Sequence, residues 1–180
     1  LGKIVIYADH GAGTIEGVTR SPVSLEGARS TFVVRNETQH WTSSNDGHDM
    51  ADVIDRNVVK SADGQGRAAS FCNAPEPSED SVALREREAW EAIDSGKSVA
   101  TGILYDSLEA PADAPMTPEG IPEVIEGVRG DSHWLDIPRI TATILDPKRS
   151  VQVSRRYWFN QIVAAEDAWA IEVGEMGWPM

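Results

Sequence analysis

The sequence predicts an α/β fold, a mostly parallel sheet with flanking helices, and three observations carry that expectation. Short apolar runs at residues 3–7 (KIVIY), 32–34 (FVV), 68–72 (AASFC) and 102–105 (GILY) stop abruptly at polar, glycine-rich or proline-rich clusters, as buried parallel strands do. Between them lie segments with apolar residues at helical spacing. Polar residues gather where the runs end, and open α/β sheets bind ligands at the carboxyl ends of their strands.

Taken in order, KIVIY runs into the glycine-rich ADHGAG at residues 8–13, a strand followed by a turn. Residues 20–30 (RSPVSLEGARS) form a connection with a helical turn near Leu25. The FVV strand ends at Asn36 and Glu37, an amide and a carboxylate placed where chemistry is done. Met50, Val53, Ile54, Asn57 and Val58 mark one face of a helix over 48–60, and ADGQG at 62–66 ends it. AASFC is closed by Asn73-Ala74-Pro75-Glu76-Pro77, because proline cannot continue an interior ladder.

A long helix is expected from 78–80 through Ser95, with Val82, Ala89, Trp90 and Ile93 inward and Arg85 to Glu88 in water. GILY reads as a further strand, and the EAPADAP that follows is the most linker-like stretch. Thr117-Pro118 opens a helix carrying Ile121, Val124, Ile125 and Val128. Asp136 caps one with Ile137, Ile140 and Ile144, and Ser150 caps a last one reaching toward Gln161. Residues 165–180 carry no firm pattern.

With 180 residues, 41% hydrophobic and 25% charged, the chain has room for one domain or part of a larger one. No apolar run approaches the ~20 residues of a membrane helix, and the amino terminus lacks a signal-peptide layout, so the expectation is an intracellular protein without a membrane partner. Cys72 is the only cysteine, which excludes an intrachain disulfide. The net charge of −13 argues against holding nucleic acid by charge alone. The densest basic group, Lys148-Arg149 with Arg155-Arg156, reads as a solvated helix face.

A phosphate-binding loop requires G-x-x-x-x-G-K-[ST] between a strand and a helix. Gly96-Lys97-Ser98 has Glu91 where the first glycine belongs and follows a helix, and Gly2-Lys3 is followed by Ile4, so neither qualifies. ADHGAG has no lysine and reads as a plain turn. His10, His40, His48 and His133 lack metal-ligand spacing, and no G-x-S-x-G elbow supports a serine nucleophile. The sequon Asn36-Glu37-Thr38 is an accident at a strand end, and the six tryptophans read as packing anchors rather than a base-stacking stripe.

In order, EGARSTFVVRNETQHW, FCNAPEPSEDSVA, GILYDSLEAPAD and SRRYWFNQIVAAEDAWA resemble blocks of the ATPase region of the large terminase subunit of tailed bacteriophages, the actinobacterial-phage type. The resemblance covers most of residues 20–170. It implies a partial P-loop-type ATPase core over 1–160, with 161–180 a linker or tail toward a nuclease domain. It also implies that the phosphate loop lies upstream of residue 1 and the nuclease beyond residue 170.

By the resemblance, Glu37 polarises the attacking water, the positioning that phosphoryl transfer demands. Asn36 stands at the magnesium position, where the family usually has aspartate. Cys72 and Asn73 match the segment coupling hydrolysis to movement, and Gly27 the loop before the acidic strand, with Glu26 where many members have arginine. The implied cofactors are ATP and Mg2+. The implied partners are double-stranded DNA, the portal, the small terminase subunit and further copies in a ring, in the cytoplasm of an infected bacterium. This chain alone is expected not to hydrolyse ATP; the alternative is a non-catalytic binding or assembly module for a packaging partner.

Overall fold

A β-α-β unit and a three-helix layer make up most of the described chain. The computed structural model describes residues 5–8, 10, 13–18 and 21–163. In order its elements are β1 (Val5–Ala8), β2 (Gly13–Glu16), α1 (Pro22–Leu25), β3 (Phe32–Asn36), α2 (Gly47–Val59), β4 (Arg67–Phe71), α3 (Val82–Asp94), α4 (Gly120–Val128), α5 (Ile137–Ile144) and α6 (Val151–Trp158).

The fold is mixed α/β with two small sheets. β3 and β4 pair in parallel, Phe32 opposite Arg67 and Asn36 opposite Phe71. α2 is the crossover, and it lays Met50, Val53, Ile54 and Val58 against Leu25, Val33, Trp41 and Ala68. Helix α2 begins at Gly47 because the chain turns back on itself there: a Cβ at this position would lie 2.5 Å from the Trp41 backbone.

The expectation of a mostly parallel sheet is corrected. β1 pairs with β2 in an antiparallel hairpin, Val5 opposite Glu16 and Ala8 opposite Gly13, and does not join the parallel pair. Residues 102–105 form no strand. Tyr105 instead stacks on Trp90 with ring centroids 4.7 Å apart, and Leu104 is 93% exposed. An apolar run of four becomes a strand only where a ladder partner is available, and this one is tethered by its aromatic ring instead.

The second core lies between α4, α5 and α6, where Ile121, Ile125, Ile140, Ile144 and Phe159 are buried with Ala110 and Ala114. Apolar spacing and caps account for it. Asp136 accepts from the Arg139 N–H and Ser150 from the Val153 N–H, closing helix starts whose amides have no internal partner. Thr117 Oγ1 accepts from the Gly120 N–H at 3.1 Å.

Helix α3 departs from its expected faces. Ser81 caps it by accepting from the Leu84 N–H, one residue after the expected start. Ala89 is exposed, and Glu86 and Arg87 turn inward to ion-pair partners instead of facing water. The expected solvated face at the basic cluster holds for Lys148 and Arg149, which are exposed, and is corrected for Arg155, 1% exposed, and Arg156, partly buried against Glu76. Gln161 and Val163 are buried, so the expected linker or tail over 161–180 is corrected at its start, where packing continues past residue 160; residues 164–180 of it, with Trp169 and Trp178, lie outside the described residues.

Candidate active site at the carboxyl end of the parallel pair

Beyond Asn36 the ladder runs on for one more bond, the Glu37 N–H donating to the Phe71 carbonyl at 2.7 Å. The chain then folds into the 3-10 turn Thr38–His40. This reversal puts Glu37 at φ 57°, ψ 45°. The other described non-glycine residues with positive φ are His10, Asp46, Asp63 and Asn160, types that tolerate the left-handed region. Glutamate has no such preference, and strain of this kind, about 1–3 kcal/mol, concentrates at functional sites.

The turn holds its side chains unequally. Glu37 is exposed, whereas Thr38 and Gln39 are 0% exposed. The Gln39 amide donates from Nε2 to Glu37 Oε2 at 2.5 Å. Its Oε1 is buried and accepts nothing. The turn is pinned against the start of α3, where the Val82 N–H donates to the Trp41 carbonyl at 2.8 Å and Thr42 bridges to Ser81.

Of the sequence-predicted residues, the fold brings four together. Asn36 ends one strand and Glu37 follows it, Cys72 and Asn73 follow the other, and the parallel register sets the two strand ends side by side. Cys72 is exposed at its surface, yet the protein around its sulfur raises the thiol above its ordinary range; the Thr38 hydroxyl, which makes no hydrogen bond of standard geometry, lowers it, and the Glu86 and Glu37 carboxylates raise it further. Cys72 therefore stays a thiol at neutral pH.

Gly27 is not part of this group. It follows α1 at φ 76°, with open space where a Cβ would project, and lies before the amino end of β3. Its role is to let the chain turn.

Under the pair, Arg35 is buried and donates to Glu86 at 2.6 Å and Asp55 at 3.3 Å, while the Ser70 hydroxyl donates to Glu86 at 3.1 Å. This network joins β3, β4, α2 and α3 directly below the strand ends. The opposite face of the pair is uncovered, with Phe32 and Val34 59% exposed and Phe71 58%.

Chemically the strand ends offer one exposed carboxylate, held by an amide, and one exposed amide beside it. Both supply oxygen donors of the kind magnesium takes, and a magnesium ion that keeps its waters and a nucleotide's phosphates needs only one or two from the protein. Among the described residues no three histidine, cysteine or carboxylate side chains gather as a metal cage. Gly96-Lys97-Ser98 closes the carboxyl end of α3 and offers no strand-to-helix phosphate cradle. His10, His40 and His133 are exposed, and the His48 ring is bonded to the Asp80 carbonyl at 2.7 Å.

The Gene 13 protein of Mycobacterium phage D29 is 44% identical over 94% of this chain. The chain is similar to bacteriophage proteins. The Gene 13 protein of Mycobacterium phage L5 is 42% identical over the same share. The chain spans about a third of these curated relatives, 31% of each. No family model and no solved structure matches it. Among the described residues no helix is long and apolar enough to cross a membrane.

The abrupt stop of FVV pointed to Asn36 and Glu37 at a strand end, and the resemblance added Cys72 and Asn73. Sequence reasoning missed Gln39 and Arg35. The signal for Gln39 was an amide two residues after a carboxylate, at the point where a strand must reverse.

Proposed function

We propose that this chain is part of the ATPase region of a phage terminase large subunit, the motor that drives DNA into the capsid. The observation that carries the reading is Glu37, an exposed carboxylate held in a left-handed backbone conformation at the carboxyl end of a parallel strand, beside Cys72-Asn73 at the end of the next. In this reading Glu37 would accept a hydrogen bond from the water that attacks the terminal phosphate, and Asn36 would offer its amide oxygen to Mg2+. The cation neutralises phosphate charge when bound with ATP. Cys72-Asn73 senses the phosphate end and passes strain into the segment that follows.

Two further facts support it. Both relatives are bacteriophage proteins about three times as long, room for a phosphate cradle and further domains. The uncovered apolar face of β3 and β4 suits a sheet that other elements complete. Double-stranded DNA, the portal, the small subunit and a ring of copies in the infected cell's cytoplasm belong to the same reading. That face equally favours a second reading, a binding or assembly module that docks a packaging partner without ATP.

The test is ATP hydrolysis by the full-length D29 relative, with and without double-stranded DNA. The reading expects Mg2+-dependent turnover by the full-length protein and none by the present chain alone. A full-length protein that binds a packaging partner yet neither binds nor hydrolyses ATP favours the second reading.

A further inference from the structure

We infer that Gln39 is a positioning residue for Glu37, kept for the orientation of that carboxylate and not for the fold. The inference rests on the reading of Glu37 as the water-polarising group. Gln39 is completely buried, yet its amide satisfies nothing in the core. Its Nε2 reaches outward to an exposed carboxylate and its Oε1 is left without a partner. A buried carbonyl oxygen with no donor is costly, and an exposed carboxylate needs no buried donor because water serves it as well. A fold optimised for stability alone would place methionine or leucine here.

The geometry accounts for the amide in another way. Glu37 has a flexible side chain at an exposed site, and the bond from Gln39 selects one orientation of it. Because Gln39 is completely buried in a turn that packs against α3, it transmits the position of the core to the carboxylate. A general base gains from being fixed, since a misplacement of about 1 Å costs ~100-fold in rate.

The test pairs two measurements. In the chain itself, urea unfolding compares the native protein with Gln39→Met, which keeps volume and removes both polar atoms. The inference expects a midpoint unchanged or raised; a lowered midpoint makes the amide structural and overturns it. In a full-length protein carrying this chain in the matched third of the D29 relative, Gln39→Met is expected to lower kcat for ATP by ~10- to 100-fold with KM unchanged. Unchanged kcat in a protein that Glu37→Gln inactivates overturns the role of Gln39 and leaves that of Glu37. Full turnover in Glu37→Gln overturns the reading of Glu37 instead. If turnover is absent throughout, the urea comparison still decides whether the amide serves the fold.

Discussion

The guanidinium of Arg156 in α6 is clasped by the carboxylate of Glu76, eighty residues earlier, with only 12% and 17% of the two side chains exposed. Arg156 also donates from Nε to the Ala74 carbonyl at 3.3 Å, and Gln152 donates to Glu76 at 3.1 Å. The segment leaving Cys72-Asn73 is thereby fastened to the helical layer.

Breaking that clasp should be costly from either side. Glu76→Ala leaves a largely buried guanidinium with the Ala74 carbonyl and the face of the Tyr157 ring but no counter-charge, and about 2–3 kcal/mol of stability should be lost. Arg156→Ala should cost a similar amount. A double-mutant cycle by urea unfolding should give a coupling of ~1 kcal/mol or more, and strict additivity would mean that the two do not interact.

The Arg35 network makes a second prediction. Arg35→Ala strips Glu86 of its closest partner and opens a cavity below the strand ends, for a loss of ~3 kcal/mol. Arg35→Met, which fills the space, should recover much of it while leaving Glu86 bonded to Ser70. Thermal unfolding of the two variants checks the order.

Cys72 supplies a pH prediction. Its thiol sits above the ordinary range, chiefly through partial burial, so its contribution to stability is complete below the ordinary thiol value and fades as pH rises through the elevated one. Alkylation at pH 8 should be slower than for free cysteine. Thr38→Val removes the hydroxyl that lowers the thiol, and the reaction should slow again; faster alkylation would show that the hydroxyl is not acting on the sulfur.

Phe32, Val34 and Phe71 predict solution behaviour. Replacing all three with threonine leaves strand preference in place on a face that buries little, so each change should alter stability by less than ~0.5 kcal/mol. Binding of a hydrophobic dye and self-association should both fall. If stability collapses instead, the face is buried in solution.

Much of this was legible in the sequence. Helices α2, α4, α5 and α6 are written in apolar spacing with Asp136 and Ser150 as caps, and the placing of Asn36 and Glu37 at a strand end is written in the sudden stop after Val34. The parallel pairing of β3 with β4 agrees with the expected parallel sheet, but the same pattern of two apolar runs around one helix recurs at 68–72 and 102–105 without pairing. What escaped depends on contacts that no local pattern encodes. Arg155 and Arg156 look solvated until Glu76 and Gln161 are seen beside them. Residues 102–105 have the composition of a strand but pair with neither sheet, Tyr105 being stacked on Trp90. Gln39 acquires its role only from the left-handed turn at Glu37.

The most direct test of the account is ATP turnover when Glu37 is replaced by glutamine in a full-length protein carrying this chain. The substitution keeps size and hydrogen bonding to Gln39 and removes the carboxylate's ability to polarise water. Nucleotide binding should persist while turnover falls ~100-fold or more. Turnover at the native rate would contradict the account.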